Sequence, residues 1–81
     1  MNEELQRAYD EVDRMLQPGK AFRTYPRKSM SEKMHVRARV DGDQVVTRRW
    51  FWRKQRWDYR VECLFYYALL YRDGQLKEVK R

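Results

Sequence analysis

The sequence predicts an α+β domain in which an N-terminal amphipathic helix, about residues 3–16, packs on a four-stranded antiparallel β-meander, about residues 33–80. Three observations carry that prediction. Apolar residues recur at helical spacing near the start, strict alternation begins at Met34, and glycine-centred turns cut the second half into strand-length pieces.

In the helix, Leu5, Ala8, Tyr9, Val12 and Leu16 fall on one stripe with Met15 beside them, while Glu3, Glu4, Arg7, Asp10, Glu11, Asp13 and Arg14 take the other faces. Asn2 can cap it, Glu3 and Glu4 suit the positive end of its dipole, and Gln17-Pro18-Gly19 stops it. A helix of about 14 residues is marginal alone in water, so the stripe must dock on the sheet.

Residues 17–32 form the expected connector. Phe22, Tyr25 and Pro26 lie among basic residues there, with neither helical nor strand period. Two readings stand side by side: a long ordered loop, or a segment laid across the sheet edge and held by Phe22 and Tyr25.

In the first strand Met34, Val36, Ala38 and Val40 alternate with Lys33, His35, Arg37 and Arg39, which predicts one buried and one basic face. Asp41-Gly42-Asp43 is a hairpin turn, because glycine accepts the positive φ that such turns demand. A second strand over residues 44–53 reverses around Lys54-Gln55 into a third, where Trp57, Tyr59, Val61 and Cys63 alternate with Asp58, Arg60 and Glu62. Residues 61–72 also fit a helix of about three turns, but aromatic enrichment favours strand. Asp73-Gly74 then turns the chain into a short last strand containing Leu76 and Val79.

The register of the first hairpin decides which rings are exposed, since a slip of one residue exchanges the faces. A three-residue loop sets Val40 against Gln44 and puts Trp50 and Trp52 on the apolar face with Met34 and Val36. Arg49, Phe51 and Arg53 then stand beside His35, Arg37 and Arg39. A two-residue turn moves Arg48, Trp50 and Trp52 to the basic face instead. Either register leaves aromatic and basic groups together on the open side, although each tryptophan taken singly is expected in the core.

At 81 residues the chain is read as one domain, residues 1–81, with room for only a modest core. Its 15% aromatic content argues for folding despite 38% charged residues, and the same aromatic density leaves room for a homodimer. The net charge of +7 is concentrated in the middle: residues 1–17 carry net −3, residues 18–60 net +9 and residues 61–81 net +1. That distribution points to an anionic partner. Cys63 alone excludes an intramolecular disulfide framework, and with only His35 to join it there is no zinc-ligand set. A reducing, cytoplasmic setting is expected. The polar, acidic start does not suit a secretory signal, and no apolar run approaches a membrane span.

The richest segment is residues 48–60, RRWFWRKQRWDYR, where five arginines and Lys54 interleave with Trp50, Phe51, Trp52, Trp57 and Tyr59 against a single Asp58. Guanidinium groups match phosphates, and flat rings stack on bases. The candidate nucleic-acid-binding residues are Arg37, Arg39, Arg48, Arg49, Trp50, Phe51, Trp52, Arg53, Lys54, Arg56 and Arg60. A sheet with exposed rings suits unpaired bases, so single-stranded DNA or RNA is the favoured ligand. The alternative partner is an acidic protein surface, occluded by the same residues in an interaction module or inhibitor. A merely solvated basic face is the plainest reading, with cation–π contacts and protection against aggregation as its use. Asp58 and Glu62 are expected to balance the neighbouring arginines rather than bind metal.

No glycine-rich phosphate loop or paired nucleophile is present, and the chain is expected to be non-enzymatic and without cofactor. The enzymatic alternative is a metal-independent ribonuclease built on His35 with Arg37 or a nearby lysine.

Overall fold

The structure, a computed structural model, describes residues 2–27 and 30–79. Lys28 and Ser29 of the expected connector, and Lys80 at the expected end of the sheet, lie outside the described residues.

The first helix, α1 (Glu3–Met15), begins as its sequence dictates: Asn2 Oδ1 accepts a hydrogen bond from the Leu5 amide at 2.7 Å. Its stripe is buried, with Ala8, Val12, Met15 and the following Leu16 withdrawn from solvent and Leu5 and Tyr9 packed beside them. Five strands follow: β1 (Ala21–Arg27), β2 (Met30–Val40), β3 (Gln44–Phe51), β4 (Arg56–Cys63) and, after a second helix α2 (Leu64–Arg72), β5 (Leu76–Glu78). They form one antiparallel sheet in the order β4-β3-β2-β1-β5. The expected α+β plan holds, a helix on an antiparallel meander, with one strand and one helix more than the sequence pattern predicted.

The extra strand is the expected connector. β1 pairs with β2 on one side and β5 on the other, and Phe22 is fully buried with its ring 5.4 Å from that of Tyr67, edge to face. Burying a side chain of that size contributes about 1.5–3 kcal/mol. The register with β2 shifts between Thr24 and Arg27, so Tyr25 and Pro26 sit in an irregular stretch. That irregularity is why no period of two was visible.

The extra helix overturns the strand preferred for residues 64–72. Leu64, Tyr67 and Ala68 are buried at helical spacing, and Tyr71 continues their stripe against the core. Aromatic strand propensity lost to packing against α1 and the sheet. The helix ends in a Schellman motif: the Gly74 amide donates to the Tyr71 carbonyl at 3.1 Å and the Gln75 amide to the Leu70 carbonyl at 2.8 Å, with Gly74 at φ +75°. Asp73-Gly74 is therefore a helix stop and not a hairpin turn.

The first hairpin has the three-residue loop, with Val40 opposite Gln44. Farther from the turn, Val36 opposes Thr47 and Ala38 opposes Val46, so Arg37 is an extra residue, a β-bulge. The bulge splits β2 into two halves of opposite facing. Before it Met34 and Val36 point to the helices; beyond it Arg39 takes that side with Val45, and Ala38 and Val40 turn to the uncovered face. The expected single apolar side for Met34, Val36, Ala38 and Val40 is thereby corrected.

Arg39 fits the helix side because α1 ends there. Its guanidinium pairs with Asp13 Oδ1 at 2.7 Å, donates to the Asp13 and Leu16 carbonyls at 3.3 Å each, and reaches the Gly42 carbonyl. A cation on these carbonyls complements the negative end of the helix dipole.

Candidate nucleic-acid interface

Strand alternation and the bulge distribute the candidate residues over four places. Arg48 and Trp50 stand on the uncovered face of the sheet, in register with Tyr59 and Trp57 of β4. Trp52, Arg53 and Lys54 form the tip of the β3–β4 turn, where Gln55 takes a positive φ of 53° and its side-chain amide donates to the Trp52 carbonyl at 2.8 Å. Arg49, Phe51, Arg56 and Arg60 point to the helix side, being in register with or alternating alongside buried Val45 and Thr47. The exposed Arg37 marks the bulge.

The eleven residues therefore do not make one surface, and the expected company of Arg49, Phe51 and Arg53 with His35, Arg37 and Arg39 does not form. Three of the cations are also occupied. Arg39 is held on α1, Arg49 pairs with Glu32 at 2.7 Å, and Arg56 lies 3.5 Å from Asp58. By contrast Arg37, Arg48, Arg53, Lys54 and Arg60 have no carboxylate partner among the described residues.

All three tryptophans are outside the core, against the expectation for each taken singly. Trp50 is 46%, Trp52 65% and Trp57 36% exposed. The physical reason is that both helices pack on one face of the sheet, over Phe22, Met34, Val36, Val45 and Leu76, and leave the opposite face bare. On that face Trp57 is the hub of a cluster. The Arg48 guanidinium carbon lies 3.9 Å from its ring centroid, and Trp50 and His35 form T-shaped pairs with it, with centroids at 5.2 and 5.8 Å. Burial, reinforced by Lys33 and Arg48, holds the His35 imidazole below its ordinary value.

Beside this cluster runs a line of cations that the sequence reading did not single out. Lys77 on β5, Arg23 on β1 and Lys33 on β2 occupy directly paired positions, Lys77 against Arg23 and Arg23 against Lys33. The pairing of Ala21 with His35 places them on the same face as His35. Like charges directly opposite on neighbouring strands are destabilising. None of the three has a carboxylate partner among the described residues; Arg23 donates to Ser31 Oγ at 3.2 Å, and Lys77 lies 5.6 Å from the Tyr25 ring. No signal in the sequence could have joined these residues, because β1 was not visible as a strand.

Trp57, Tyr59 and His35 were equally outside the candidate set. The alternation of Trp57, Tyr59, Val61 and Cys63 is legible in the sequence, and the structure places it on the uncovered face, with Tyr59 61% and Val61 58% exposed. Among the described residues no group of His, Cys, Asp and Glu could hold a metal ion, and no helix is long and apolar enough to cross a membrane. Comparison with family models, curated proteins and solved structures finds no match to this chain.

Proposed function

We propose that this chain is a small, non-enzymatic nucleic-acid-binding protein that takes single-stranded DNA or RNA on the uncovered face of its sheet. The observation that carries the reading is the juxtaposition on that face of the Lys77–Arg23–Lys33 line with the Trp57 cluster. Aligned cations without carboxylate partners among the described residues lower their mutual repulsion when a phosphate backbone lies along them, releasing counterions as they do so. Exposed indoles next to them offer the π-faces on which unpaired bases stack, each stack being worth about 1–3 kcal/mol.

Arg48 joins the two halves of this surface. Its planar group lies over Trp57 while keeping donors for a phosphate, a combination that suits arginine better than lysine. The Trp52–Arg53–Lys54 tip extends the same mixture beyond the end of the sheet. In this reading Arg48, Trp50, Trp52, Arg53 and Lys54 remain from the sequence-derived set, and Lys33, Arg23, Lys77, His35, Trp57 and Tyr59 join them.

The test is a titration of the protein with single- and double-stranded DNA and RNA oligomers across a salt series, following tryptophan fluorescence in the same samples. Affinity that survives at physiological salt, with quenched tryptophan and a preference for single strands, supports the reading. Binding that vanishes with salt and leaves the tryptophans unchanged removes it, and an acidic protein surface becomes the partner to seek.

A further inference from the structure

The outer edge of β4 has no neighbour among the described residues. β4 is the first strand in the order β4-β3-β2-β1-β5, it is eight residues long, and its pairing with β3 runs through eight consecutive positions without a shift. It contains neither proline nor bulge, two of the devices that blunt an exposed edge, and its charges, another such device, alternate in sign along the strand; β5, at the other edge, is only three residues long. A long regular edge strand is a template for another strand.

The sequence of β4 says which strand fits it. Arg56, Trp57, Asp58, Tyr59, Arg60, Val61 and Glu62 are self-complementary about Tyr59. We infer that two copies of this chain associate through antiparallel pairing of their β4 strands about a two-fold axis at Tyr59, joining their sheets into one of ten strands. Arg56 then faces Glu62 of the second copy and Asp58 faces Arg60 of the second copy, each pair occurring twice. On the other side of the sheet Trp57 faces Val61 of the second copy, and the two Tyr59 rings face each other.

Charge selects this register. A two-fold axis perpendicular to the sheet keeps each residue on its own face, so odd positions pair only with odd and even with even. Moving the axis to Asp58 sets Asp58 against itself and Arg56 against Arg60. Moving it to Arg60 sets Arg60 against itself and Asp58 against Glu62. Both neighbouring registers place like charges directly opposite, which destabilises a pair of strands. Only the Tyr59-centred register makes every charged pair attractive while engaging all seven residues.

The same pairing accounts for where the apolar exposure lies. Trp57, Tyr59 and Val61 are 36%, 61% and 58% exposed along the free edge, and cross-strand neighbours would cover their flanks. The axis also keeps both uncovered faces on one side of the joined sheet, so the two Trp57 clusters would share one surface. The inference does not depend on what those clusters bind.

Sedimentation of the full chain from micromolar to millimolar concentration tests it, with circular dichroism melting to confirm that each variant is folded. The wild type should rise with concentration from 10.2 kDa to twice that mass. Arg56→Glu and Glu62→Arg, made singly, should each raise the dimer dissociation constant by about tenfold, since each replaces two attractive pairs by two repulsive ones. The two substitutions together exchange the charges and should restore the wild-type constant. A wild type that stays monomeric throughout overturns the inference. So does a folded double variant that fails to recover, or a dimer indifferent to all three variants, which would mean that the copies meet elsewhere.

Discussion

The Arg48 guanidinium carbon lies over the Trp57 indole, 3.9 Å from its centroid, on the face of the sheet that neither helix covers. In a purely structural role this contact would hold two neighbouring strands together, at about 0.5–1 kcal/mol where exposed. Under the proposed function, its position beside three aligned cations gives it a second use.

Substituting Trp57 by Leu should weaken single-strand binding by about 1–3 kcal/mol while leaving the salt slope unchanged, because an indole contributes stacking and no charge. The same variant should lose most of the tryptophan quenching seen on titration. Unchanged affinity with full quenching would shift the stacking role to Trp50 or Trp52.

Charge removal separates available from occupied cations. Arg53→Gln should reduce the salt slope of binding by about one phosphate's worth, whereas Arg49→Gln should change it much less, since Arg49 is held by Glu32 at 2.7 Å. Equal effects at the two positions would show that the Arg49–Glu32 pair opens on binding.

Arg39 should matter for folding instead. Arg39→Ala removes the partner of Asp13 and of the Asp13 and Leu16 carbonyls, and the expected loss in chemical denaturation is about 1.5–3 kcal/mol. An effect confined to ligand affinity, with stability intact, would contradict the place of Arg39 at the end of α1.

His35 makes a pH-dependent contribution whose sign follows from its environment. Burial, with Lys33 and Arg48 nearby, lowers its pKa from 6.5, so the unfolded chain holds the proton more tightly than the folded one. The stability present above the unfolded value is then lost as the pH falls through the folded value. Thermal midpoints should drop on acidification of the wild type and drop less in His35→Gln. In the binding titration the same acidification should strengthen affinity, as a phosphate beside His35 favours the imidazolium.

Gly74→Ala should destabilise the protein by about 1 kcal/mol, because the left-handed conformation at φ +75° that closes α2 disfavours a β-carbon. A neutral result in thermal melts would mean that the helix end rearranges without cost.

Much of the fold was legible from local pattern. The stripe Leu5, Ala8, Val12 and Leu16, the Asn2 cap and the Asp41-Gly42-Asp43 turn reappear where their spacing put them, and the alternation from Met34 holds as far as Val36, where the bulge at Arg37 breaks it. β1 was hidden because Tyr25 and Pro26 break its register, and α2 because a run of Leu64, Phe65, Tyr66 and Tyr67 satisfies strand and helix alike. Of the candidate site, the mixture of arginine and aromatic side chains was readable, but its division among the open face, the tip and the helix side was not.

The amino-acid sequence by itself determined the class of fold, the basic middle of the chain and the alternation that lets a strand present two different faces. Tertiary structure decided which face is which. A single extra residue at Arg37 reverses the facing of half of β2, and the helices cover only part of the sheet. Facing depends on pairing between distant strands and on what packs above them, and neither is encoded in the period of one segment.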